Sequence, residues 1–125
     1  MNLFLDTHVL LWWLDDSPSL NDAERNAIAD PGNLIVVSAA VIWEMRIKQA
    51  LGKLVFSTDF YPVIKNQGFE LLSITADHAY AAGGLPVHHR DPFDRMIIAQ
   101  ARLENLCIIT RDSIFSRYEV SVFAP

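Results

Sequence analysis

The stretch DPFDRMIIAQARLENLCIIT, residues 91–110, decides the fold class because two periodicities meet in it. Asp91 suits the N-cap of a helix and Pro92 its first position, after which apolar residues recur at helical spacing as far as Leu103. Asn105 suits the left-handed residue that closes such a helix. The run that follows, Cys107-Ile108-Ile109, is short, continuous and apolar, the pattern of a strand covered on both faces. A helix leading directly into a buried strand is the repeating unit of a parallel sheet with helices packed on it.

The same alternation extends outward from that unit. Residues 3–5 and 34–37 read as further buried strands, 69–74 as another, and 120–122 as a last one. Helices are expected at 8–14, 21–29, 59–66 and 76–82, and at 38–50 with Ser38 as cap and Gly52 as stop. No repeat, low-complexity tract or linker interrupts the pattern. The expectation is therefore a three-layer α/β/α fold around a central parallel sheet, one domain over residues 1–125, which is enough chain for one substantial core. Sheets of this kind place their sites beyond the carboxyl ends of the strands, where the strand order reverses.

Composition narrows the function classes. The chain is 51% hydrophobic and 20% charged, and no apolar run approaches the roughly 18 residues of a membrane span. The N-terminus has no signal-peptide pattern, so a cytoplasmic protein is expected. Cys107 is the only cysteine, which excludes a disulfide framework and a cysteine zinc site within one chain; it reads as a buried strand thiol. A net charge of −5 argues against binding nucleic acid by bulk electrostatics. It does not argue against a nuclease whose acidic centre is neutralised by a metal ion. Arg46, Lys48 and Lys53, and separately Arg90, Arg95 and Arg111, are the basic residues near the acidic segments.

Four acidic residues stand out. Asp6 and Asp112 follow strands, where capping or turn formation explains either one alone. Asp94 lies in the first turn of its helix, yet Asp91 already supplies the cap, and Asp94 shares a helical face with Ile97, Ile98 and Ala101. Glu44 is too deep in its helix to satisfy terminal amides, although Lys48 can hold it in an ion pair. These residues occupy two strand ends and two helices that leave the same edge of the sheet. If they meet, two unit charges about 4 Å apart repel by about 4 kcal/mol at an effective dielectric near 20, so the group needs a cation or a retained proton. All-oxygen ligands favour Mg²⁺ or Mn²⁺, the ions suited to phosphodiester hydrolysis.

Other residues carry weaker signals. Thr7 and Thr110 are short hydroxyls beside strand-end carboxylates, able to bond a metal-bound water or a phosphate, with local turn bonding the plainer use. His88 and His89 are adjacent and make a poor zinc pair; His8 reads as a core or helix-surface residue. Trp12, Trp13 and Trp43 read as core or subunit-interface aromatics ahead of base-stacking platforms.

These segments together resemble the PIN-domain nucleases, and within them the VapC-type toxins of bacterial toxin–antitoxin pairs. The matching stretches are LFLDTH (residues 3–8), VSAAVIWE (37–44), LGKL (51–54), HHRDPFDRMIIAQA (88–101) and ITRD (109–112), in order along nearly the whole chain. Carried over by position, the resemblance implies that Asp6, Glu44, Asp94 and Asp112 form an acidic centre that acts with Mg²⁺ or Mn²⁺ to cleave RNA. Asp91 matches an acidic position of the subgroup with this motif and is explained equally by capping. An antitoxin covering the active-site groove and a homodimer are also implied. Two rival readings are a non-catalytic PIN-like binding scaffold and a phospho-receiver-like module. The latter needs a Lys after a late strand, and no Lys follows Lys65.

Overall fold

The strands are short, and three of the four are apolar runs that lie largely buried, the edge strand at Glu70–Leu72 being the exception. In the computed structural model, which describes residues 1–124, they are β1 (Asn2–Leu5), β2 (Leu34–Ser38), β3 (Glu70–Leu72) and β4 (Cys107–Ile109), all parallel, in the order β3-β2-β1-β4. Leu3, Phe4 and Leu5 are fully buried, as is Ile108 beside them. Each such side chain contributes about 1.5–3 kcal/mol by leaving water.

The helices are α1 (Thr7–Leu14), α2 (Asp22–Ala29), α3 (Ala39–Ala50), α4 (Phe60–Lys65), α5 (Ala76–Gly83) and α6 (Pro92–Glu104), followed by a 3₁₀ turn at Ser113–Arg117. Their starts follow from the sequence: Asp6, Asn21, Ser38, Asp59, Thr75 and Asp91 each accept a backbone N–H as N-caps. Asn105 closes α6 at φ 55°, the left-handed conformation expected of it. The chain steps outward from β1 to β2 to β3, then returns through α5 and α6 to β4 on the other side of β1. Right-handed crossovers put these two sets of helices on opposite faces, giving the three-layer α/β/α arrangement. The strand order reverses between β1 and β4, where Leu5 is in register with Ile109. Asp6 and Thr110 thus leave the sheet side by side.

Two expectations need correction. Residues 120–122 do not form a strand: one isolated bridge joins Val122 to Ile108, because Val120 N–H turns back to the Tyr118 carbonyl and only Ser121 and Phe123 bond the edge of β4. Cys107 is half-buried, since β4 is the outermost full strand on its side of the sheet. Among the described residues, no helix is long and apolar enough to cross a membrane.

Candidate active site

Asp6 begins the site. The chain leaves β1 extended and turns into α1, so Asp6 Oδ1 accepts from Val9 N–H at 2.9 Å while Oδ2 accepts from the Thr110 hydroxyl at 2.5 Å. Capping and membership of an acidic cluster are compatible, one oxygen serving each. Burial pushes this carboxyl above its ordinary range; the Thr110 and Val9 bonds and His8 oppose the shift, and Asp112 adds to it.

Thr7, the neighbour of Asp6, carries the next link. Its hydroxyl donates to Glu44 Oε1 at 2.5 Å, while Lys48 Nζ lies 2.7 Å from Oε2. The Lys48 pair anticipated from sequence forms, yet Glu44 itself is buried at 5% exposure. Both threonines therefore bond carboxylates distant in sequence, although Thr110 Oγ1 also accepts locally from Asp112 N–H at 3.0 Å.

Asp94 and Asp112 meet at His89, which in the sequence reads only as half of a poor zinc pair. His89 Nε2 lies 2.9 Å from Asp94 Oδ2 and 2.9 Å from Asp112 Oδ2, so these three residues form one cluster of potential ligands. Asp91 N–H donates to His89 Nδ1 at 3.3 Å, which makes Nδ1 an acceptor and leaves the hydrogen on Nε2. The imidazole is thus a donor spanning two carboxylates. The available signal was the adjacency of His89 to the capping Asp91, whose Oδ1 accepts from Phe93 and Asp94 N–H at 2.9 and 3.1 Å.

Asp94 reports the field of the whole group. Its carboxyl is pushed up to about 7, first by burial, then by the charges of Asp91, Glu44 and Asp6, against the pull of His89. The structure places Asp6, Glu44, Asp94 and Asp112 in one electrostatic neighbourhood, with Asp6 and Glu44 each held by a threonine and the other two joined through His89. Among the described residues only His89, Asp94 and Asp112 bring ligand atoms within reach of one ion, a set with two carboxylate oxygens that suits a divalent cation, while the oxygens of Asp6 and Glu44 already accept from Val9, Thr110, Thr7 and Lys48.

Arg95 and Arg111 are engaged elsewhere. Arg95 donates to the carbonyls of Ala82, Leu85, Pro86 and His89, at 2.9–3.2 Å, and so ties the loop before α6. Tyr118 completes that tie: its hydroxyl accepts from His88 and His89 N–H and donates to the Pro86 carbonyl. Arg111 pairs with buried Glu24, donates to the Ser19 carbonyl and lies over the Trp12 ring. The Arg111 bonds hold the Glu24 carboxyl below its ordinary range. Trp43, anticipated in a core or a subunit interface, is exposed; Trp12 and Trp13 are half-buried against the core.

The profile of one protein family, described as the PIN domain, matches residues 3–120. Among curated proteins, none matches the sequence significantly. A chain of VapBC2 from Rickettsia felis, bound to a DNA fragment from its promoter, is similar over 98% of this chain and 96% of that one, with a TM-score of 0.67 and 18% identity. A chain of a toxin–antitoxin complex from Klebsiella pneumoniae gives 97% and 96%, a TM-score of 0.67 and 22% identity. DNA-bound VapBC from Salmonella typhimurium gives 98% and 96%, 0.65 and 17%. At these identities the likeness is one of fold.

Proposed function

The chain belongs to the PIN domain family, and on that premise we propose that it is a Mg²⁺- or Mn²⁺-dependent ribonuclease of the VapC type, the toxin of a toxin–antitoxin pair. The observation that carries the metal-dependent hydrolase reading is geometric: Asp94 Oδ2 and Asp112 Oδ2 each lie 2.9 Å from His89 Nε2, within ligand distance of one another, and burial and neighbouring carboxylates push the Asp94 carboxyl up. A cluster so short of positive charge suits a divalent cation and, through it, a phosphodiester. The bound ion supplies Lewis acidity toward the phosphate and the attacking water.

The chain's own residues do the rest. Asp6, Glu44, Asp94 and Asp112 hold the ion. Thr7 and Thr110 fix the rotamers of Glu44 and Asp6 through 2.5 Å bonds, and His89 orients the other two carboxylates. Asp91 starts α6 and so sets where Asp94 points. The VapBC-type neighbours support an antitoxin partner, and the homodimer is what the family resemblance implies.

The test is cleavage of RNA by the purified protein with Mg²⁺ or Mn²⁺. Activity is expected to vanish in excess EDTA and in Asp94→Asn, while the fold persists. Cleavage that survives either treatment overturns the reading.

A further inference from the structure

Trp43 immediately precedes Glu44, and Phe93 immediately precedes Asp94. Their rings meet edge to face, with centroids 5.2 Å apart and planes at 79°, where α3 packs on α6. Successive helical residues point about 100° apart. The two helices that carry Glu44 and Asp94 into the acidic cluster therefore carry this aromatic pair to its rim. Trp43 is 59% exposed. Whichever ring offers its edge, at least one face of the indole is left uncovered by Phe93.

The charges around the pair point to the kind of ligand. Arg90, in the loop before α6, is exposed and has neither a hydrogen-bond nor an ion-pair partner among the described residues. Lys48, Arg95 and Arg111 are all engaged by other groups. The exposed residues nearest in sequence to this pair are Arg46, Arg90 and Pro92, so two of the three carry positive charge. An open aromatic face next to a free guanidinium and a centre for phosphodiesters is the combination that binds single-stranded nucleic acid.

We propose that Trp43, braced by Phe93, is a stacking platform for an unpaired base beside the phosphodiester to be cut, with Arg90 on an adjoining phosphate. The proposal rests on the ribonuclease reading and adds to it the residue that holds the base. A base in a duplex is stacked within its own helix and has no face free for the indole. Sequence analysis ranked this use of Trp43 below a core or interface role because exposure was not legible there.

The test compares the parent with Trp43→Ala and Trp43→Phe. Binding is read by fluorescence anisotropy of a short, unstructured RNA with each protein carrying Asp94→Asn, expected to abolish cleavage, and turnover on the same strand by the proteins with Asp94 intact and Mn²⁺. Thermal unfolding and sedimentation velocity accompany both. Trp43→Ala is expected to raise Kd and KM about 10-fold with kcat within about twofold of the parent, while Trp43→Phe restores most of the affinity. Parent-like binding by Trp43→Ala overturns the platform. So does dissociation of an oligomer by that variant with affinity recovered at higher protein concentration, which makes Trp43 a subunit anchor. If the parent binds the strand, Trp43→Ala weakens it and no RNA is cleaved in Mg²⁺ or Mn²⁺, the platform stands and the ribonuclease reading falls.

Discussion

The hydroxyl of Thr110 donates to Oδ2 of Asp6 at 2.5 Å, joining the first residue after β1 to the first residue after β4. Val9 N–H occupies the other oxygen, so the carboxylate is held from both sides. Thr110→Val keeps the shape and removes the donor. It is expected to weaken Mn²⁺ binding about 10-fold, with Thr110→Ser close to the parent, read by calorimetric titration.

Asp94 links catalysis to stability in opposite senses. Its proton is held to about pH 7 in the folded chain but released near the ordinary 3.8 when unfolded, so between these values the native state binds more protons. Stability without metal must then fall as pH rises from about 4 to 7. Asp94→Asn removes this dependence and is expected to unfold at higher temperature than the parent in EDTA at pH 8, by about 1 kcal/mol, while losing all cleavage. Thermal scans across that pH range check it.

Arg95 is expected to act through the loop it ties. A lysine cannot reproduce a guanidinium fork shared among four carbonyls, so Arg95→Lys should destabilise the protein by about 1–3 kcal/mol. Urea unfolding measures the loss. Hydrogen exchange should show His88 and His89 amides opening faster.

Tyr118→Phe removes a single oxygen that three backbone groups share. Because His89 spans Asp94 and Asp112, freeing its backbone should lower kcat about 10-fold with little change in KM. Equal kcat in the two proteins would count against a positioning role for this loop.

Arg111→Ala leaves the buried Glu24 carboxylate without its guanidinium and should cost about 1–2 kcal/mol at neutral pH. The bond holds the Glu24 carboxyl below 4.5, so its stabilisation is present above that value and lost as pH falls through the folded one. The difference between parent and variant should therefore narrow in acid. Unfolding midpoints at several pH values test it.

Much of this was legible in the chain because it is local. Asp91-Pro92 starts α6, Asn105 ends it, and the apolar runs of β1, β2 and β4 announce themselves by composition. Asp94 was legible because a second acid lay beyond a filled cap. His89 was not, because its place depends on Tyr118, 29 residues away, and no local pattern encodes that distance. Thr7 was not legible for the same reason, since it reaches Glu44 across 37 residues, whereas Thr110 keeps the local bond to Asp112 expected of it beside its bond to Asp6. Trp43 defeats any reading from composition, since an indole looks alike in sequence whether a core covers it or solvent does.

The placement of β1 between β2 and β4 has a consequence for biosynthesis. Asp6 is synthesised before its partner Thr110 and its neighbour Asp112, which follow it by more than a hundred positions. Until β4 docks against β1, the nascent chain carries the early half of the acidic centre with nothing to complete it. The acidic centre is thus assembled only when β4, the strand furthest along the chain, takes its place beside β1.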